Sequence, residues 1–387
     1  MASSLTVPVN PDLLIWARET AGYDFDLACE KLKCKPEKLQ KLEAGEAEPT
    51  YPFLNELADL YKRPLAIFFA SKPPVKRNKP SDFRLQLDAT SHGISPQLNI
   101  AIRKAWLMRE NFLELSSYDD QPISPFALTA TMAEDPEELG PKLRKLFGVS
   151  IATQLGWRAE KSGYDEWKKA IENQNVLVLE LSRIPLSEMR GIALWEDTLP
   201  IIMVNGADSQ SARVFTLIHE FAHLLLRQAA LCDLAPAEYD SGTAKLEAFC
   251  NAVSAATIVP KKELVELVSG RYSEKWTMEE LAELAKTFSV SKEVILRRLL
   301  TVGLTSENYY RLMRIEFIAE YKKLRDKNKD KDGGPSPALM TVRNLGKPFV
   351  ELVLNSYHDN RIGLSTVSDY LGVRVKHLPK IEALVAR

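Results

Sequence analysis

At 387 residues, 45% hydrophobic and 27% charged, the sequence has the composition of a globular protein of two or three domains. Its 51 Lys and Arg against 52 Asp and Glu leave a net charge of −1, which excludes a global pull toward nucleic acid or membrane. No apolar run approaches the ~18–20 residues of a membrane span, and Met1 to Thr6 lacks the basic and apolar regions of a signal peptide. The cysteines, Cys29, Cys34, Cys232 and Cys250, form no C-x-x-C pair, so a cytoplasmic protein with reduced thiols is expected.

From the N-terminus, short amphipathic helices are expected over 12–21, 26–32, 37–44 and 51–61, with a fifth turn through Ile67-Phe68-Phe69. Asn10-Pro11, Asp24, Pro36 and Pro49-Thr50 open them, and Gly22 and Gly45 close the first and third. Two short helices joined by a three-residue turn describe a helix-turn-helix unit. The stretches L-L-I-W-A-R-E-T-A-G-Y, K-L-E-A-G-E-A-E-P-T and F-L-N-E-L-A-D-L-Y resemble the XRE (Cro/CI-like) helix-turn-helix family. In such a motif the helix from Pro36 would present Lys35, Lys38, Gln40 and Lys41 to a DNA groove. Residues 1–70 nevertheless carry eight Lys/Arg against eleven Asp/Glu, a net of −3 that is poor for a DNA binder, so a solvated lysine face or a protein-docking module is the competing reading.

The Pro-rich, basic stretch 71–97 reads as a linker, with Asp82-Phe83-Arg84 as an extended peptide in it. A connecting helix is expected from Pro96 to Ser117, then helices over 133–147 and 165–173. The pattern next changes to short apolar runs, Val176 to Leu181, Gly191 to Trp195 and Leu199 to Asn205, which read as a three-stranded sheet.

Directly after the sheet comes R-V-F-T-L-I-H-E-F-A-H-L-L-L, 213–226, apolar enough to be a buried helix. His219 and His223 stand four residues apart, hence one above the other about 6 Å along a helix, where both imidazoles can reach one metal ion. Glu220 projects roughly 100° away, beside the ion, where a carboxylate can act as general base. With five histidines in the chain, chance is a poor explanation of this pattern; His92, His358 and His377 read as ordinary residues. Residues 228–243 read as a loop. A helix opening around Ala244 would then place Glu247 on its first turn as a third ligand, 24 residues after His223, with Asn251 one turn further on the same face.

H-E-F-A-H followed by E-A-F-C-N-A-V-S-A-A-T-I-V-P, with R-G-I-A-L and L-P-I-I-M-V-N before them, is similar to the ImmA/IrrE metallo-endopeptidases over roughly residues 145–325. The resemblance implies a zincin-like core with His219, His223 and Glu247 as metal ligands and Glu220 as catalytic base. It also implies Zn²⁺, with Mn²⁺ as the alternative, and a protein substrate, namely a helix-turn-helix repressor. Arg213, Tyr239 and Lys245 are candidates for stabilising the oxyanion, although a structural role is the preferred reading of each.

Further on, 277–300 is a second helix-turn-helix-like segment whose Arg297-Arg298 could reach phosphate, although packing or substrate docking is the preferred role. A long amphipathic helix from Asn308 ends in a mixed-charge, Gly/Pro-rich tract, and a last helical unit follows. The expected fold is therefore mainly α with a small β-sheet, α+β in class. Its expected parts are a helix-turn-helix domain over 1–70, a linker and connecting helix over 71–140, a metallopeptidase domain over 141–325, a flexible linker over 326–338 and a C-terminal helical unit over 339–387. The leading functional expectation is an endopeptidase acting on a regulatory protein. DNA through the N-terminal unit and a second copy of the chain, as a homodimer, are its further partners, and no membrane is. The alternative is a DNA-binding regulator or antitoxin whose metal domain is a sensor or scaffold.

Overall fold

A computed structural model describes residues 5–74, 94–118, 123–157, 163–227, 230–232, 241–329 and 336–386, in two compact units, Met1–Leu107 and Met108–Arg387. The protein is mainly helical with one small mixed sheet, as the hydrophobic periods predict. Among the described residues no helix is long and apolar enough to cross a membrane.

The first unit holds α1 (Pro11–Thr20), α2 (Phe25–Leu32), α3 (Pro36–Glu43), α4 (Tyr51–Tyr61) and a 3₁₀ turn, Leu65–Phe69. The Asn10, Asp24 and Thr50 side chains accept from the backbone N–H groups of Asp12, Leu27 and Phe53, satisfying first-turn donors as the sequence predicts. The α2 helix stops in a Schellman turn: Lys33 is left-handed (φ 51°), its N–H donates to Glu30 O at 3.1 Å, and Cys34 N–H donates to Cys29 O at 3.1 Å. Leu13, Leu14, Leu39, Leu54, Leu57, Tyr61 and Phe68 form the core, and a part-buried pair, Arg18 Nε to Glu43 Oε1 at 2.8 Å, ties α1 to α3. Lys35, Lys38, Gln40 and Lys41 are all exposed, and the Lys38 ammonium sits 3.4 Å from the centre of the Phe53 ring. The division between units falls inside α5 (Pro96–Ser116), the expected connecting helix. Asp82-Phe83-Arg84, His92 and most of the basic linker lie outside the described residues.

In the second unit α6 (Pro136–Phe147), α7 (Ile151–Leu155) and α8 (Gly163–Glu172) precede β1 (Leu177–Leu181), β2 (Gly191–Leu194) and β3 (Ile201–Asn205). Helix α8 starts at Gly163, two residues before the expected start at Asp165, which therefore lies in its first turn. After α9 (Gln210–Leu225) comes a short fourth strand, β4 (Ala230–Cys232), in the segment expected to be loop. The sheet order is β1-β3-β2-β4, with β1 parallel to β3 and β2 antiparallel to both neighbours. Val178, Ala193, Ile202 and Val204 share one face and join the core cluster that contains α9, while Leu177, Leu179, Ile192, Ile201 and Met203, all buried, alternate to the other face.

Beyond the sheet lie α10 (Ser241–Ile258), α11 (Lys261–Leu267), α12 (Met278–Phe288), α13 (Lys292–Thr301) and α14 (Glu307–Lys329). Buried polar side chains lock the far end of α10. Arg144 Nη1 donates to Gln154 Oε1 at 2.6 Å and to Thr257 O at 2.8 Å, and Gln154 Nε2 donates to Ile258 O and Phe288 O. Arg298 is fully buried, with Nη2 2.6 Å from Glu137 Oε2 and Nε 2.7 Å from Val259 O, so it cannot reach a phosphate. Gly140 lets α6 close onto α10, because a Cβ there would lie 2.7 Å from the Ala256 carbonyl carbon.

The chain ends in α15 (Pro337–Leu345), α16 (Lys347–His358), α17 (Leu364–Leu371) and α18 (Leu378–Val385), with α15 against β1. Lys168 Nζ donates to Arg343 O at 3.0 Å, and Gly346, left-handed at φ 80°, brings the chain past Glu172 and Val178. Burial, partly offset by Lys168 and reinforced by Glu180, Glu351 and Asp165, pushes the Glu172 carboxyl up to about 7. A carboxyl whose pKa is higher folded than unfolded favours the folded state while protonated and loses that contribution as pH rises from ~4.5 to ~7. Urea unfolding should show stability falling by about 2 kcal/mol across that window, with Glu172→Gln flattening the slope.

Candidate metal centre

Residues around β3 fix where α9 begins. Asn205 Nδ2 donates to Ile184 O and Met189 O, and its Oδ1 accepts from Ala207 N–H, tying the chain before β2 to the turn after β3. Ser209 is the helix cap, its hydroxyl accepting from Ala212 N–H at 3.2 Å. Helix α9 is buried on nearly every face, between the sheet, α8 and α10. Arg213, in its first turn, is also buried: Nη1 lies 2.6 Å from Glu180 Oε2, and the guanidinium lies 4.4 Å from the centre of the Tyr164 ring. Lys168 Nζ approaches Glu180 Oε1 at 3.4 Å. Arg213 is thus committed to the joint between α9, β1 and α8, the structural role preferred for it, and is not available to an oxyanion.

Two turns on, His219 and His223 bring their Nε2 atoms within 3.0 Å of each other, with ring centroids 4.8 Å apart. Glu247 arrives from α10. That helix starts at Ser241, three residues before the expected Ala244, so Glu247 lies in its second turn. The carboxylate spans both rings, with Oε2 3.1 Å from His219 Nε2 and Oε1 3.3 Å from His223 Nε2. Among the described residues these three side chains converge, their ligand atoms all within 4.8 Å of one another. His223 is fully buried while the Glu247 side chain is 17% exposed, so the cluster opens on the α10 side.

The electrostatics are those of one coupled cluster. Burial alone would raise the Glu247 carboxyl, but hydrogen bonds from His219 and His223 hold it down to about 2. His219 is desolvated by burial, yet hydrogen bonding to Glu247, the nearby charge of Glu220 and hydrogen bonding to Asn251 raise its pKa. For His223 burial prevails over Glu247, and the pKa falls. Asn251, one turn beyond Glu247, is therefore beside His219, on the face the sequence indicated.

The donor set fits a small divalent cation. Two imidazole nitrogens and a carboxylate 3.0–3.3 Å apart have close to the spacing, about 3.3 Å, of ligands at ~2.0–2.1 Å on tetrahedral corners. Three protein ligands leave a fourth corner for water or substrate, the arrangement of catalytic sites rather than structural ones.

Glu220 is fully buried and follows the first ligand on α9, but it is turned toward β2. Its carboxylate lies against the backbone of Gly191, where an added Cβ would meet both it and the Thr216 methyl. Neither residue was singled out for a role from the sequence; the available signal was a glycine opening a strand that is paired on both sides. Lys245 is exposed two residues before Glu247, and Tyr239 lies outside the described residues. Burial pushes the Cys250 thiol up, with the charges of Glu247 and Glu220 adding to the shift, which leaves it an inert thiol beside the site. His358 is exposed and pairs with Glu382 at 3.3 Å, apart from the cluster.

No curated protein matches the chain. Residues 172–300 match the family model described as the IrrE N-terminal-like domain, Peptidase_M78, which carries the site and gives this part of the chain a metallopeptidase-type function.

Proposed function

We propose that the protein is a metal-dependent endopeptidase that cleaves a regulatory protein, namely a helix-turn-helix repressor. His219, His223 and Glu247 hold the ion, Zn²⁺ first and Mn²⁺ as the alternative. The observation that carries this reading is the convergence of those three side chains with a buried carboxylate, Glu220, next to the first of them.

When bound, the ion supplies a Lewis acid that polarises the scissile carbonyl and brings the pKa of water from 15.7 toward ~7. Glu220 accepts the proton of the attacking water and passes it to the leaving amide nitrogen. Glu247 supplies the negative charge of the ligand set, and Asn251 stands beside His219 at the mouth of the site. Burial of His223 and Glu220 keeps bulk water from the inner side of the site, so substrate enters past Glu247 and Asn251. The N-terminal unit recruits the substrate or its DNA site, and the exposed Lys35, Lys38, Gln40 and Lys41 on and beside α3 are the surface that does so.

The test is incubation of the purified protein with a helix-turn-helix repressor and Zn²⁺ or Mn²⁺, followed by gel electrophoresis with and without chelator. Cleavage that chelator abolishes supports the proposal. Tight operator binding with no cleavage under any metal supports a regulator with a metal-sensing domain.

A further inference from the structure

We infer that Gly191 is a positioning residue for the base: the side chain missing from this strand position is the space in which the Glu220 carboxylate lies. Strand β2, together with α9, then sets where the base stands. This deepens the reading above and rests on Glu220 being the base.

A Cβ added at Gly191 would fall 2.3 Å from Glu220 Oε1, 2.8 Å from Glu220 Cδ and 2.6 Å from Thr216 Cγ2. No real carbon tolerates such contacts. The backbone does not need glycine there, since Gly191 is absent from the positive-φ glycines and pairs with Val204 and Cys232 as any strand residue would. Gly191 opens β2 and is paired on both sides, a place where glycine weakens a strand and often marks a close approach. What approaches here is a carboxylate with no exposure, on the sheet face that Gly191 shares with Ala193.

The neighbours differ in how they can yield. The Glu220 carboxylate is the end of a flexible side chain, whereas Thr216 is β-branched and held on the helix. A methyl at 191 would therefore displace the base first. His219 and His223 bond across to Glu247 and would keep their places. If Gly191 served packing alone, the same methyl would be accommodated by trimming Thr216.

The test is a double-mutant cycle read without a substrate. Thermal midpoints and Zn²⁺ affinities are measured for wild type, Gly191→Ala, Glu220→Ala and their combination, and for Gly191→Ala with Thr216→Ser. Gly191→Ala should lower the midpoint by about 5 °C. Most of that loss should vanish when Glu220→Ala is added, and Zn²⁺ affinity should change less than about threefold. If Gly191→Ala alone does not fold, recovery of folded protein in the Glu220→Ala combination reads the same coupling. On a repressor that the wild type cleaves, Gly191→Ala should reduce kcat by up to about 10²-fold with KM unchanged. A midpoint loss that persists with Glu220→Ala but disappears with Thr216→Ser overturns the positioning role, as does a Gly191→Ala protein with wild-type kcat. Active Glu220→Gln together with intact coupling would instead remove the base assignment, so the two failures are distinguishable.

Discussion

Glu220→Gln should bind metal as the wild type does and cleave about 10²–10⁴ times more slowly. Glutamine matches glutamate in size, so the packing against Gly191 is kept. What is lost is the ability to accept a proton at the carboxylate oxygen. The cost should fall on kcat, because Glu220 is fully buried on the ligand helix and belongs to the proton transfer more than to substrate binding. The fold should not suffer, since the substitution removes a charge from the interior. Parallel measurement of bound metal, thermal midpoint and cleavage rate separates these effects. Unchanged cleavage by Glu220→Gln would remove the peptidase mechanism proposed for this site.

His223→Ala should behave in the opposite way, losing the metal itself. His223 is fully buried and contacts both other ligands, at 3.0 Å to His219 and 3.3 Å to Glu247. Its removal leaves two ligands and a hole where the imidazole stood. An affinity loss of at least about 10³-fold, ~4 kcal/mol, is expected, with cleavage lost in step. Stability should also fall by about 2 kcal/mol through the cavity, independently of metal. His358→Ala is the matched control, because that imidazole is exposed and paired only with Glu382, and it should change neither metal content nor cleavage. Calorimetric titration with Zn²⁺ reads both variants directly.

The metal face was legible because its information is local. His219 and His223 are four residues apart on a segment too apolar to be anything but a buried helix, and helical geometry does the rest. Glu247 was legible through its spacing and the family resemblance, even though its helix begins three residues earlier than expected. What sequence reading missed is held by partners distant in the chain. Strand β4 consists of three residues and owes its existence to pairing with β2, which no local hydrophobic alternation could announce. Packing was the preferred role for Arg213 and Arg298, but their partners were not legible: each is buried on a glutamate 33 or 161 residues away. Such pairing depends on tertiary packing, and composition argues against it. Gly191 stood in the recognised R-G-I-A-L stretch, but its use became visible only once Glu220 was found lying against it.

Metal content of the protein as isolated, measured by plasma mass spectrometry beside a cleavage assay, tests the central claim most directly. One divalent ion per chain should be present, lost together with cleavage on chelation and on His223→Ala, and restored with cleavage on adding Zn²⁺ or Mn²⁺ to the stripped wild type. A metal-free chain that still cleaves, or a chain with intact His219, His223 and Glu247 that binds neither ion, would contradict it.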